Sequence, residues 1–434
     1  MEDGEESAKG KYKLMMGIRN SFGAEFSEMA KLRITCLIGN GFDIGLGLKT
    51  SYKDFLHSFL SNNKNLSDSK RWLIKEIKKD IDNWSDAELA FGKLNFSEQG
   101  QNVEDKFLNC MRDIYRELKV YLLEQERRLV IPDEDRRDVA TSFLNYLIQV
   151  LRFDVDGVKS SEFQRLFITH NEIELNFINF NYTRTLETIL DLDDDCSPRH
   201  IFFKDSKLKI EINHVLHPHG ALDRDIVFGV ADSSQIVDGE LAKLSEIDGY
   251  LIKGKMLNRN KKEYDEANNL IGSSDIIFSF GLSYGVTDKN WWDQLAIYFF
   301  AKESLKGLGK GRMMNFFVMS PFTFGGHNIE TPADKIYNFK HERERFLNGM
   351  SNLCRSTIKD DNLLMLGYGP YDNDINHKRY YCDPLRLKSI GSRFVDRYVE
   401  IDDLIDVKSE NPTVQHAVDA HNAIAIKRNI GVFI

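Results

Sequence analysis

Arg33–Leu56, RITCLIGNGFDIGLGLKTSYKDFL, is the stretch from which the rest of the chain is read. Its first six residues form a short, mostly apolar run that stops at Gly39, as a strand buried on both faces of a parallel sheet does. Gly39, Gly41, Gly45 and Gly47 follow in close succession. Glycine inside a helix or strand costs roughly 0.5–1 kcal/mol relative to alanine, so such a cluster belongs where the backbone must turn or be closely approached. Ser51 with Asp54 resembles a capping box, and Phe55, Leu56, Phe59 and Leu60 mark one face of a helix. The glycines therefore join a strand to a helix. Such a junction presents backbone N–H groups and suits a diphosphate. The full G-x-G-x-x-G fingerprint is not met, because position 44 is Ile, and a tight turn is the plainer reading of the loop taken alone.

Outward from this junction, residues 61–170 read as polar helices with i, i+3/i+4 apolar spacing, interrupted at Pro132. Strands are expected again at IELNFINF (Ile173–Phe180), and within KLKIEINHVLH, DIVFGV, DIIFSFG and MNFFVMS, with helical segments between several of them. This alternation predicts an α/β fold: a mainly parallel sheet with helices on both faces, of Rossmann type, plus a helical insertion. The expected division is a tail over 1–30, a nucleotide-binding core from 31–60 and 171–325, the insertion at 61–170, and a C-terminal region at 326–434 whose role the residues do not reveal.

The chain has 434 residues, 42% of them hydrophobic, and a net charge of -9, which is not the profile of a general nucleic-acid binder. Its cysteines (Cys36, Cys110, Cys196, Cys354 and Cys382) are scattered, with no C-x-x-C pair, which fits reduced thiols and argues against a zinc ribbon. No apolar run is long enough for a membrane span and no signal segment opens the chain, so a cytoplasmic protein is expected.

Three further loops end expected strands. In FNYTRTLE, Asn181 follows an apolar strand, where it either orients a water or ribose hydroxyl or, with Thr183, caps the next helix. In HVLHPHG, His217 and His219 share a side if the backbone is extended; His219 is a candidate general base, the pair is a candidate metal chelate, and ordinary loop histidines are the third reading. In FGLSYGVTD, Gly281 and Ser283 repeat the logic of the first loop, with Thr287 or Asp288 as the alternative N-cap. GLGKGR (Gly307–Arg312) lacks P-loop spacing and reads as a helix stop, while Trp291 and Trp292 read as packing residues.

Together and in this order, the blocks LIGNGFDIGLGLKTSYKDFL, NWSDAE, NFNYTRTLE, HPHG, FGV and GLSYGVTD resemble the AbiH family of phage abortive-infection proteins over roughly residues 33–325. Their order is also similar to the sirtuin-like NAD-binding fold. That resemblance implies that Gly39 and Gly41, with Asn40, Phe42 and Asp43 beside them, bind the dinucleotide. It makes Asn181 and His219 catalytic, and places Gly281 and Ser283 at the diphosphate. Asp43 stands near the usual serine and Thr183 replaces the usual aspartate, and no zinc-ribbon cysteines follow. The implied activity is hydrolysis of NAD⁺ at the nicotinamide–ribose bond, with NAD⁺ as substrate, no metal, and His217 supporting His219. The alternatives are a sensor that binds NAD or ADP-ribose without cleaving it, and a metal-dependent hydrolase using His217 and His219. A phage-derived activator and homo-oligomerisation are expected of such an effector, and no membrane partner.

Overall fold

A computed structural model describes residues 31–61, 66–81, 84, 86–97, 102–153, 170, 172–192, 199–202, 209–244, 247–257, 261–296, 315–319, 344, 347–349, 363–365 and 387–395. The tail over 1–30, the GLGKGR turn and most of 326–434 lie outside these.

Among the described residues, seven strands form one sheet in the order β3-β4-β2-β1-β5-β6-β7. They are β1 Leu32–Ile38, β2 Glu172–Asn179, β3 Arg199–Phe202, β4 Lys209–Leu216, β5 Ile276–Phe280, β6 Asn315–Met319 and β7 Leu363–Met365. Only β3, at one edge, is antiparallel to its neighbour; every other pairing is parallel. The expected mainly parallel α/β sheet is what the chain forms. From β1 the chain moves outward to β2 and β4, then returns past β1 to lay down β5, β6 and β7 on the other side. That reversal is a topological switch point, and it opens a crevice beyond the carboxyl ends of β1 and β5.

The two faces of β1 follow the strand period of two. Leu32, Ile34, Cys36 and Ile38 pack with Phe143, Leu144 and Leu147 of the helix Asp133–Phe153, and with Ile390 and Phe394 of the helix Leu387–Phe394. Leu37 packs on the opposite face with Leu270 and Ile271 of the helix Lys261–Ser273 and with Trp291 and Trp292, both core residues. A separate aromatic cluster joins Phe55, Phe59, Phe91, Phe96 and Phe107 to Phe228 and Leu251. The helices read as one insertion thus divide: Asp68–Lys79, Ala87–Gly92 and Val103–Glu126 build this second cluster, whereas Asp133–Phe153 covers the sheet. The region after 325 likewise contributes β7 and a helix of the sheet's own core.

DIVFGV is not a strand. Val227 N donates to His219 O (2.7 Å) and Val230 N to Leu251 O (2.8 Å), so this segment is held as a loop between the turn at His219 and the helical layer, with a single bridge, Val230 to Ile252.

The first glycine loop has a specific reason. Gly39 N donates to Phe280 O and Gly41 N to Gly281 O, both at 2.9 Å, so the ends of β1 and β5 are stitched together. A Cβ on Gly39 would lie 2.6 Å from Gly281 O, and one on Gly281 only 2.7 Å from Gly41 Cα. Gly281 also has φ +69°, in the left-handed region. Gly281→Ala therefore combines a left-handed alanine, about 1–2 kcal/mol, with overpacking of about 1–3 kcal/mol. Urea denaturation is expected to show a loss of about 2–5 kcal/mol. Gly47→Ala is the control: its φ is +92° but nothing lies within 4 Å, so only the conformational part, about 1–2 kcal/mol, is lost.

Candidate functional site

The crevice at the switch point holds a cleft of about 400 Å³, within the roughly 300–1,000 Å³ of small-molecule sites. Gly39, Asn40, Asp43, Asn181, Thr183, His219, Gly281 and Ser283 all line it, although they come from four separate stretches of chain. Asp86 and Glu88 from the helical layer complete the wall, with Lys253 and Asp288.

Asn181 sits just past β2 and is 6% exposed. Its amide Nδ2 donates to Gly39 O (3.2 Å), and its backbone N–H is fixed by Asn179 Oδ1 (3.0 Å). Its Oδ1 has no protein donor among the described residues. The helix Thr185–Leu190 starts at Arg184 without a side-chain cap, so neither Asn181 nor Thr183 serves as its N-cap. Thr183 instead donates to Asp43 Oδ2 (2.6 Å), and Thr185 donates to the other carboxylate oxygen. Asp43 thereby ties the β1 loop to the β2 loop.

Burial pushes the Asp43 carboxyl up to about 6, against the lowering effect of the two threonine hydrogen bonds. Between about pH 4 and pH 6 the folded chain thus keeps a proton that the unfolded chain releases. This contribution is full below pH 4 and lost as pH rises through 6. Asp43→Asn keeps an acceptor for one threonine and removes the titration. Urea denaturation at pH 4.5 and pH 7 is expected to show a fall of about 1–3 kcal/mol in the parent, and a clearly smaller fall in the variant.

His219 is 4% exposed, and its ring meets Phe180 edge-on at 5.1 Å between centroids. Its Nε2 lies 3.3 Å from Asp288 Oδ1, yet no directed hydrogen bond satisfies that buried nitrogen. Burial, reinforced by Lys253, holds His219 below the ordinary histidine range despite Asp288. His219 lines the cleft wall, and a neutral imidazole whose buried nitrogen has no hydrogen-bond partner among the described residues can take up a proton.

Behind it runs a buried chain of charge. Lys253 Nζ lies 2.6 Å from Asp288 Oδ1 and 2.7 Å from Glu88 Oε2. Thr287 Oγ1 and the Gly229 amide also donate to Glu88. Asp288 stays well below the ordinary carboxylate range: burial opposes this, but Lys253 and His219 outweigh it. Lys253 stays protonated against burial because Asp288 and Glu88 flank it. Burial pushes the Glu88 carboxyl up, but Lys253 Nζ, the Gly229 amide and Thr287 Oγ1 all donate to its oxygens and hold it as the carboxylate.

Several expected site residues play other parts. Phe42 is fully buried against Phe143 and Phe280, in the core and not in the cleft. The Gly39 and Gly41 amides are engaged by β5 carbonyls, so they are not free phosphate donors, and the Asn40 side chain is bound to Thr50. His217 and His219 do not share a side. β4 ends at Leu216 and the chain turns through Gly220, whose φ is +78°, so the two-residue period no longer applies. His217 Nδ1 donates to Asn181 O (3.0 Å) and its Nε2 meets Glu187 Oε1 at 2.6 Å. It faces a second cavity and braces Asn181 rather than His219. Glu187 outweighs burial and keeps His217 above the ordinary histidine range. With both ring nitrogens occupied, His217 forms no chelate with His219, and among the described residues no three His, Cys, Asp or Glu side chains are grouped to hold a metal.

Sequence reading missed Glu88 and Lys253 as site residues. The signal was present in AELAFG (Ala87–Gly92), where Glu88 is the one charge in a short, mostly buried segment; LIKGKM (Leu251–Met256) carries two lysines, and only the fold separates buried Lys253 from exposed Lys255. No helix among the described residues is long and apolar enough to cross a membrane.

No curated protein matches the chain. A family model described as bacteriophage abortive infection AbiH matches residues 36–303, a span that takes in every loop of the cleft. That match covers well over half of the 434 residues, so this chain belongs to the AbiH family, whose role is abortive infection in defence against bacteriophage.

Proposed function

We propose that the cleft hydrolyses NAD⁺ at the nicotinamide–ribose bond and that the resulting loss of NAD halts phage replication in the infected cell. The observation that carries this reading is the meeting of Asn181 and His219, whose Nε2 has no hydrogen-bond partner among the described residues, in the wall of the switch-point crevice. The bond breaks with positive charge gathering on the ribose, while the cationic nicotinamide is already a good leaving group. The protein therefore needs to position the substrate, exclude stray water, stabilise an oxocarbenium and admit one water. The acidic lining of Asp43, Asp86, Glu88 and Asp288 suits that developing charge. In this reading Asn181 orients the ribose or the water. The water oxygen bonds to the ribose C1′, its proton passes to His219 Nε2, and the C–N electron pair leaves with nicotinamide.

The two departures from the sirtuin-like pattern also fit each other. Asp43 stands near the usual serine, Thr183 replaces the usual aspartate, and the two are hydrogen-bonded at 2.6 Å, which ties the two loops together. The glycine loops act on the substrate by their shape, since their amides hold β5. Free nicotinamide released from NAD⁺ by the purified protein, with and without phage lysate, tests the reading. Saturable binding of NAD⁺ or ADP-ribose with no product in either condition points instead to a sensor.

A further inference from the structure

We propose that Glu88, carried by the helical layer, is a positioning residue for His219, acting through Lys253 and Asp288. This rests on the reading of His219 as the proton acceptor. The geometry is one uninterrupted buried line. His219 Nε2 is 3.3 Å from Asp288 Oδ1, that same oxygen is 2.6 Å from Lys253 Nζ, and Nζ is 2.7 Å from Glu88 Oε2. Glu88, Lys253 and His219 are 5%, 3% and 4% exposed and the Asp288 side chain is 19% exposed, so water reaches this line only at Asp288 and screens it weakly elsewhere. Each member comes from a different part of the fold. Glu88 lies on Ala87–Gly92, Lys253 opens the helix Lys253–Met256, Asp288 ends the turn Val286–Asp288, and His219 follows β4.

The Lys253 ammonium is shared between two carboxylates. The more of its charge Glu88 neutralises, the more negative Asp288 remains toward His219. A negative Asp288 stabilises the imidazolium that forms when His219 takes the proton from water. Removing the Glu88 charge leaves the ammonium to Asp288 alone, and the proton on His219 loses part of its counter-charge. The helical layer thereby sets the basicity of the imidazole from the far end of the line. The titratable groups sharing the cleft with His219 are Asp43 and Tyr52 after β1, Asp86 and Glu88 from the helical layer, Tyr182 after β2, and Lys253 and Asp288. Among them, only Asp288 lies at ion-pair distance from its ring.

The test is Glu88→Gln, which keeps shape and the acceptor for Thr287. The His219 ring is titrated by NMR, and the pH profile of nicotinamide release is recorded on the same protein. The His219 titration is expected to move down by about one unit. The acid limb of kcat is expected to move with it, kcat to fall on the order of tenfold at its optimum, and KM to stay within about twofold. Glu88→Asp is expected to restore most of the titration shift. A His219 titration that is the same in the parent and in folded Glu88→Gln overturns the proposal. If Glu88→Gln does not fold, Asp288→Asn is used, where an unmoved His219 titration overturns it equally. An NMR shift as expected in a protein that releases no nicotinamide under any condition upholds the coupling and removes the hydrolase reading instead.

Discussion

Nicotinamide release by His219→Ala is expected to fall by about 10²–10⁴-fold, with the far-ultraviolet spectrum nearly unchanged and a stability loss of about 1–3 kcal/mol from the emptied ring volume. The size follows from the role: a positioned base that accepts a proton in the transition state contributes in that range. The moderate structural penalty follows from the site. His219 Nε2 makes no directed hydrogen bond, so truncation leaves no partner orphaned except the Asp288 carboxylate, which Lys253 still holds at 2.6 Å. The backbone turn is set by Gly220 and by Val227 N donating to His219 O, neither of which needs the imidazole. Asn181→Ala is expected to lower release as well, but with some loss of stability, because its amide anchors the Gly39 carbonyl. Undiminished turnover in His219→Ala would remove the imidazole from the chemistry.

Lys253→Met is expected to destabilise the protein by about 3–5 kcal/mol, the largest single loss of stability anticipated here. The methionine is close in volume, but it leaves Glu88 and Asp288 buried as like charges without the ammonium between them. Removing one partner of a buried pair costs far more than the pair contributes, because the remaining charge stays desolvated. The pH dependence gives the cause away. In the parent, Asp288 is held below the ordinary carboxylate range, so its contribution is present above pH 4 and lost as pH falls through its folded value. In the variant both carboxylates are pushed upward, so stability should rise as pH falls from 8 to 5 and they take up protons. Adding Glu88→Gln and Asp288→Asn to Lys253→Met should recover most of the loss at pH 8. A loss that is flat across this range would assign the effect to packing.

The two experiments separate what the cleft does from what holds it together. His219 lines the cleft and is held by packing on Phe180 rather than by a directed hydrogen bond of Nε2 among the described residues. Lys253 lines the same cleft but is held between Glu88 and Asp288. An abortive-infection effector must remain silent until infection. The same line of charge links the helical layer to the imidazole.

The residues by themselves determined the central strands of the sheet and the order of its loops, whereas β3, β7 and the strand order came from the fold. Arg33–Ile38, Ile173–Phe180 and Asp275–Gly281 are apolar runs ended by a polar residue or glycine. Burial on both faces leaves a parallel strand few other compositions, so these elements were legible locally. The same holds for the Ser51–Asp54 cap, where a short side-chain hydrogen bond decides where a helix begins. DIVFGV shows the limit: its composition is that of a strand, but its hydrogen bonds run to His219 and Leu251, which lie in separate segments. The side His217 faces was likewise beyond local reading, because the strand period lapses at Leu216.

Only the tertiary structure decided who completes the cleft. Which buried carboxylate meets which buried ammonium is set by the packing of distant elements: Glu88 and Lys253 are 165 residues apart, and Asp43 and Thr183 are 140 apart. Electrostatic partners act through space, and neither hydrophobic period nor spacing along the chain encodes that distance. The loops announced a site at the end of β1, and the fold alone supplied the charges that tune it.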